Sequence, residues 1–484
     1  MSQRGTNLRI GLTGIAFAIP FLFAAANLLI QPPDRFVPAA TDSDYFLPAG
    51  YNRLVFDDCD SVAWMIRAEN ARRGRLAGRV DETGKPFHVS NDTDLDRYRE
   101  RIAANPPFAE RYFLEYPPMA LAFFRLCYLA SGSNGTLPVS AGLLDEHEFN
   151  FTCHAPETPA ERELYRGMRR GLQASVILLI LVLVGVMLLV RRGIGPGGIA
   201  SASPWLCILP AMLYFTPCRF DILPAGLVLL AIALTARGRP NLGALALGFA
   251  IAFKLYPLIL APLILRFAFQ TWGRAAVWAV CCALPALIAN GAMLLTDGLP
   301  GVVVPFQFQL GRGVETLFCF YGRLLPRAFA EGAAGTLFRN GSVALLLVGF
   351  CYRKPPDVES LLRRCALAVM LFVSLQVFYS PQWWLWIAAL LIPLARSHRG
   401  LTALIILSDL LIYATFPLAY DRMILGAFDD EELTRLANAL AYGRALLWAG
   451  IAVVLVKKEF AATKRSSDLT DRGTLPTPPI SEVV

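Results

Sequence analysis

Long apolar runs alternate with short basic connections along most of the chain. The first run, residues 10–30, has the length that crosses a bilayer as a helix. It ends in Gln31, Pro32 and Pro33 without a small-x-small cleavage pattern, so it reads as a retained first helix over about 9–30. Residues 31–170 are polar and hold no comparable run. Their longest apolar stretch, 117–130, is interrupted by Arg125 and reads as an interfacial helix with one apolar face. Further spans are expected near 171–190, 203–217, 220–236, 241–255, 257–267, 274–295, 341–352, 364–379, 383–395, 401–416 and 439–456. Several are shorter than the ~20 residues a straight span needs. Pro217, Pro257 and Pro381 sit at their ends. Short or broken helices leave backbone groups that must be buried in protein or face a cavity. Beyond 459, Pro476, Pro478, Pro479 and clustered Ser and Thr predict a disordered tail, 459–484.

Composition turns this pattern into a class. Of 484 residues, 55% are hydrophobic and 17% charged, against roughly 25% charged in soluble domains. The chain reads as an all-α polytopic membrane protein. It would carry about 12 transmembrane helices and a long first extracytoplasmic loop with interfacial helices. The net charge of +8 lies mostly in singles and pairs between apolar runs, where it sets orientation and does not signal nucleic acid. Arg191 with Arg192, Arg237 with Arg239, the stretch 266–274, Arg353 with Lys354, Arg363 with Arg364, the stretch 396–399, and Lys457 with Lys458 fall on one predicted side. Asp297, Glu315, Asp429, Asp430, Glu431 and Glu432 fall on the other. The positive-inside bias makes both termini cytoplasmic, and loops 31–170 and 296–340 extracytoplasmic. Were 117–130 a span, every basic pair after it would move outside. Residues 1–458 then form one membrane body. Ten cysteines without a C-x-x-C pair suggest no zinc or iron–sulfur site. Cys281 and Cys282 fit packing roles. Cys59, Cys153 and Cys319 fall in external segments, where a disulfide is chemically allowed.

Four polar constellations fall on the predicted outer face. Asp57, Asp58 and Asp60 put three carboxylates within four positions. Facing a cavity, one of them would serve as a general base. In a solvated turn or a helix N-cap they would do no chemistry. Glu115 and Tyr116 precede Pro117 and Pro118, which fix the entry of the interfacial helix and put both residues at its lip. Arg219, Asp221 and Lys254 lie at or inside the ends of apolar runs, where ionisable groups are costly and face a cavity or a partner. An Arg219–Asp221 pair could simply staple two helices. Lys254 has no acidic residue in its own span; it suits a lipid phosphate or could snorkel to the headgroups. In the loop 296–340, Gly311 and Gly313 flank Arg312, which can hold phosphate bidentately. Finally Tyr379, Ser380, Pro381, Gln382, Trp383 and Trp384 mark a helix break. Tandem Trp suits an interface belt or stacking on a sugar ring.

The order of these motifs resembles glycosyltransferase family 87, the mannosyltransferase-like branch of the GT-C superfamily of integral membrane glycosyltransferases. The likeness rests on the Asp cluster, Tyr116-Pro-Pro, Arg219-Phe-Asp-Ile-Leu-Pro, Phe253-Lys-Leu-Tyr-Pro-Leu, Gly311-Arg-Gly-Val-Glu-Thr and Tyr379-Ser-Pro-Gln-Trp, and runs from about 55 to 400. It implies a GT-C-type bundle in the plasma (inner) membrane and a hexose, mannose, carried on a polyprenyl phosphate. It implies transfer at the extracytoplasmic face with inversion, to a glycolipid, polysaccharide or protein acceptor. The implied base is an Asp of the first external loop, Asp58 first, then Asp60 and Asp57. The donor phosphate would meet Lys254, Arg312 and Arg219. Glu115, Tyr116, Tyr256, Glu315, Gln382 and Trp383 would line the substrates. Two departures stand out: an extra polar stretch over 133–168, and Cys218-Arg219 where the family has Gly-Gln before its Asp, which weakens any role for Asp221.

A lipid-phosphate sugar is already activated, and no Walker loop or dinucleotide fingerprint is present, so no cofactor is required. Three adjacent Asp could hold a divalent cation, but Lys254 and Arg312 could do the same charge work, and no metal site is assigned. A transporter or lipid flippase is the main alternative, since many spans with intramembrane charges also suit a translocation path. A cell-surface glycan ligase or polymerase is a weaker one. An enzyme should gather its charges in one outward cavity, whereas a transporter should spread them through the midplane.

Overall fold

The computed structural model describes residues 36–38, 46–48, 65, 116–132, 167, 170–184, 204–269, 272–310, 319, 325–395, 398–419 and 430–471. Within these the chain is helical, apart from one short antiparallel pairing of β1 (Phe36–Pro38) with β2 (Phe46–Pro48), in which Phe36 faces Pro48. The sequence pattern gave no sign of this pairing.

The helices in order are α1 (Pro118–Ala130), α2 (Arg170–Val184), α3 (Pro210–Cys218), α4 (Ile222–Ala236), α5 (Pro240–Phe253), α6 (Ala261–Ala268), α7 (Trp272–Leu310), α8 (Arg327–Glu331), α9 (Ala333–Tyr352), α10 (Val358–Ser374), α11 (Trp384–Ala395), α12 (Arg399–Tyr413) and α13 (Asp430–Asp471). Single 3₁₀ turns precede α3, α6 and α11, at Pro204–Ile208, Tyr256–Leu260 and Pro381–Trp383. Four segments are long and apolar enough to cross a membrane: Gly273–Leu295, Ala333–Tyr352, Arg399–Phe416 and Glu431–Ala462. Six shorter apolar helices accompany them. The chain is a helical, multi-pass membrane protein.

Several boundaries differ from the sequence pattern: α10 begins at Val358 and so takes in Arg363 and Arg364, expected in a basic connection, and α13 begins at Asp430, within the acidic run expected in an external one. The span expected at 274–295 continues as α7 to Leu310, so helix occupies the start of the expected loop 296–340. Gly298, Pro300 and Pro305 read as breakers, but the apolar run around them carries the helix on, and tertiary context overrides local propensity. The span expected from 341 begins at Ala333. The tail expected to be disordered from 459 is helical as far as Asp471. Residues 457–471 hold no Gly or Pro, which first return at Gly473 and Pro476. Glu459 also ties this helix to α10, as described below.

The core forms around α10 and α11. Nearly every residue of α11 is buried, as expected of a helix that is apolar all round. α10 packs on α9, α11 and α13, while α11 also packs on α4 and α12. Beside this core, α5 lies between α4 and α7. Gly238, at φ +74°, closes α4, its N–H donating to the Thr235 carbonyl, and turns the chain back into α5. α1 buries Ala120, Phe123, Phe124, Cys127 and Tyr128 on one face and exposes Leu126 and Leu129 on another. Its buried face packs with Met65, Leu172, Val176, Phe220 and Leu223.

Close helix approach depends on glycine in α5. A Cβ on Gly248 would run into the Cys282 carbonyl and Pro285 of α7. Gly248→Val should therefore push α5 from α7 and cost about 1–3 kcal/mol, the usual range for overpacking. Gly273→Ala meets nothing within 4 Å and is the neutral control. Thermal unfolding of the detergent-solubilised protein reads both.

Candidate active site

Two helix C-termini and one helix N-terminus converge on a buried ion pair. α3 and α5 both stop at an extended residue, Arg219 (φ −128°, ψ 136°) and Lys254 (φ −152°, ψ 146°). Their amides donate to the carbonyls of Phe215 and Ala250, closing the last turns. Asp221 is the N-cap residue of α4. Cations beside helix C-termini and an anion at an N-terminus both complement the helix dipoles. This junction lies at the ends of α4 and α5 opposite the Arg237–Gly238–Arg239 turn.

The Lys254 ammonium lies 2.6 Å from Asp221 Oδ1, and Asp221 is fully buried. The Trp386 indole N–H donates to the same oxygen at 2.8 Å. The close ion pair of Asp221 among the described residues is thus with Lys254, across α4 and α5, where an Arg219–Asp221 staple was one of the readings left open. Sequence separation hid this partner: Lys254 has no carboxylate in its own helix, but the α4–α5 hairpin brings Asp221 beside it. Arg219 is itself buried, at 5% exposure.

Aromatic rings enclose the ammonium. It lies 4.8 Å from the Phe220 centroid, 5.1 Å from Trp386 and 5.3 Å from Tyr116, within the range of cation–π attraction. Tyr256 stacks on Trp386 with centroids 3.9 Å apart and planes 6° from parallel. Trp383 stacks behind Trp386 at 5.2 Å, and Phe378 and Tyr379 pack edge-on against Trp383. The Arg444 guanidinium lies 3.4 Å from the Tyr379 centroid. Trp383 and Trp386 are three residues apart and share one side of the helix start, whereas Trp384 points elsewhere, to α12.

Of the residues expected at the site, Tyr116, Arg219, Lys254, Tyr256 and Trp383 belong to this junction or its wall, and Gln382 is buried beside Trp383. Asp57, Asp58, Asp60, Glu115, Arg312 and Glu315 lie outside the described residues. Among the described residues no cluster of His, Cys, Asp or Glu could hold a metal ion. Cys319 is buried, and its Sγ donates to the Gln376 carbonyl.

Several buried polar residues had escaped the sequence reading. Asp409, on α12, accepts from the Ala211 and Met212 amides at the start of α3 and from Trp384 Nε1. Glu459, on α13, accepts from Ser360, Arg363 and Arg364 of α10. Arg364 in turn donates to the carbonyls of Phe350 and Arg353 at the end of α9. An Asp inside the apolar run 401–413 was a readable signal for a buried functional or anchoring group. Trp386 was readable as the third Trp of its cluster. The Glu459 partners were not, because nothing local links residues about a hundred positions apart.

Fold and junction together define a helical membrane protein with a buried, aromatic-walled ion pair at one end of its helices. No protein-family model matches the chain, and none of the curated proteins compared with it does.

Proposed function

We propose that this protein is an integral membrane glycosyltransferase of GT-C type, with about 12 spans. It moves a hexose, mannose by resemblance, from a polyprenyl phosphate to an acceptor at the extracytoplasmic face, with inversion. It resides in the plasma (inner) membrane with both termini cytoplasmic. One observation carries the reading. Motifs scattered from Tyr116 through Arg219-Phe-Asp and Phe253-Lys-Leu-Tyr to Trp383 meet around one ion pair, at the helix ends opposite the basic connections.

The chemistry follows from charge. An Asp of the first external loop, Asp58 or its neighbours Asp60 and Asp57, takes the proton from the acceptor hydroxyl as that oxygen attacks the anomeric carbon. The bond from that carbon to the phosphate oxygen breaks, and its electrons stay on the lipid phosphate. Lys254 and Arg219, joined by Arg312, offset the developing charge. Glu115, Tyr116, Tyr256, Glu315, Gln382 and Trp383 are the proposed substrate contacts. No nucleotide takes part.

The test is transfer from radiolabelled polyprenyl-phosphate-mannose by membranes containing the protein, with Asp57, Asp58 and Asp60 each changed to Asn. One variant should lose ~10²-fold or more, the contribution of a general base. A wild type that transfers nothing, or three variants that all keep wild-type rates, would defeat the proposal. A transporter or flippase is the second reading, because Asp409 and Arg444 are buried within long spans. Substrate movement across sealed vesicles without transfer would put that reading in its place.

A further inference from the structure

Three carboxylates are buried among the described residues, and they differ in how their oxygens are satisfied. Asp409 uses both: Oδ1 accepts from Ala211, and Oδ2 from Met212 and Trp384. Glu459 uses both: Oε1 accepts from Ser360 and Arg364, and Oε2 from Arg363. Asp221 does not. Its Oδ1 takes both Lys254 Nζ and Trp386 Nε1, while its buried Oδ2 has no hydrogen-bond partner among the described residues. A carboxylate that serves only to join helices gains by spreading its donors over both oxygens, because a bare buried oxygen is costly. Here both donors are gathered on one oxygen and the other is left bare.

That arrangement suits another task. Asp221 is sealed, at 0% exposure, whereas Lys254 keeps 8%. The Lys254 ammonium also lies near the rings of Phe220, Trp386 and Tyr116. The Asp221 carboxylate helps to keep an ammonium among apolar rings charged and in place. The Trp386 N–H fixes which oxygen Asp221 turns to Lys254, and Tyr256 stacked on Trp386 fixes the indole.

We infer that Asp221 and Trp386 are positioning residues that hold the Lys254 ammonium for an anionic phosphate group of a lipid ligand. This rests on the glycosyltransferase reading for the identity of that ligand, but the positioning can be measured without transfer. Three single variants serve. Trp386→Phe keeps an aromatic ring and the ion pair, and removes the N–H together with part of the indole. Asp221→Asn removes the charge. Asp221→Glu keeps it.

Each purified full-length variant is assayed for binding of a short-chain polyprenyl phosphate, which carries no sugar, and for transfer from polyprenyl-phosphate-mannose. Results are scored per folded molecule. Trp386→Phe should melt within a few degrees of wild type yet bind the lipid phosphate ~10-fold more weakly. Asp221→Asn should bind more weakly still, and Asp221→Glu should recover part of the loss. In transfer, kcat should fall more than KM changes, as for charge stabilisation made in the transition state. Variants that bind like wild type while only melting lower would reduce the pair to a helix staple and overturn the inference. So would a wild type that does not bind the lipid phosphate. A wild type that binds it through Asp221 and Trp386 but transfers no sugar would sustain the inference and defeat the glycosyltransferase reading.

Discussion

Asp409→Leu should lower the stability of the solubilised protein by about 3 kcal/mol or more. Three buried donors lose their acceptor at once: the Ala211 and Met212 amides and the Trp384 indole. Each orphaned buried group costs about 1–3 kcal/mol, and the burial of a leucine in place of a carboxylate returns part of that. The amides belong to the first turn of α3, which has no side-chain cap of its own, since Leu209 stands at its N-cap. Asp409 therefore caps α3 from another helix. Trp384→Phe removes one of the three bonds and should cost less than half as much. In the double variant the two losses should fall short of their sum, because they share one carboxylate. Thermal unfolding in detergent measures all three. Asp409→Leu melting like wild type would show that α3 does not depend on this cap.

Asp221→Leu should be as damaging, and for a different reason. It leaves the Lys254 ammonium buried without its carboxylate, and breaking a buried pair from one side costs about 3–5 kcal/mol. Lys254→Met alone strands the Asp221 carboxylate in the same way. The double variant Asp221→Leu with Lys254→Met removes both charges and replaces them with apolar volume. It should recover most of the lost stability, since a well-packed apolar pair often equals or exceeds a buried ion pair. It should not recover polyprenyl-phosphate binding, because the cation is gone. Stability and function thus separate in one cycle of variants, read by unfolding midpoint and by lipid-phosphate affinity. A double variant that binds as well as wild type would remove Lys254 from the site.

Local chemistry carried far along this chain. Apolar runs between basic pairs give a multi-pass helical protein, because the bilayer rewards one length and one composition. The breaks at Pro217, Pro257 and Pro381 are legible because proline cannot continue a helix without loss. Each helix junction at the site follows one of them or nearly so: Arg219 comes two residues after Pro217, and the 3₁₀ turns at Tyr256–Leu260 and Pro381–Trp383 contain the others. The candidate residues Tyr116, Arg219, Lys254, Tyr256 and Trp383 were legible as polar or aromatic groups at those breaks.

Pairing was not legible. Nothing within its own helix gives Lys254 a partner, and the close neighbour Arg219 looks the natural mate for Asp221. The α4–α5 hairpin reverses that, since antiparallel helices bring the start of one beside the end of the next. The extent of α7 and α13 also escaped the pattern, because glycine, proline and polar residues lower helix propensity by amounts that packing readily outweighs. The sequence by itself determined the class of protein, the spans in outline and the chemical types at its breaks, since length, hydropathy and proline act locally. Only the tertiary structure decided that Asp221 holds Lys254, that Trp386 holds Asp221, and that Asp409 and Glu459 fasten distant helices. Those contacts join residues from 25 to 198 positions apart, and a buried charge takes its partner from whichever helix packs beside it.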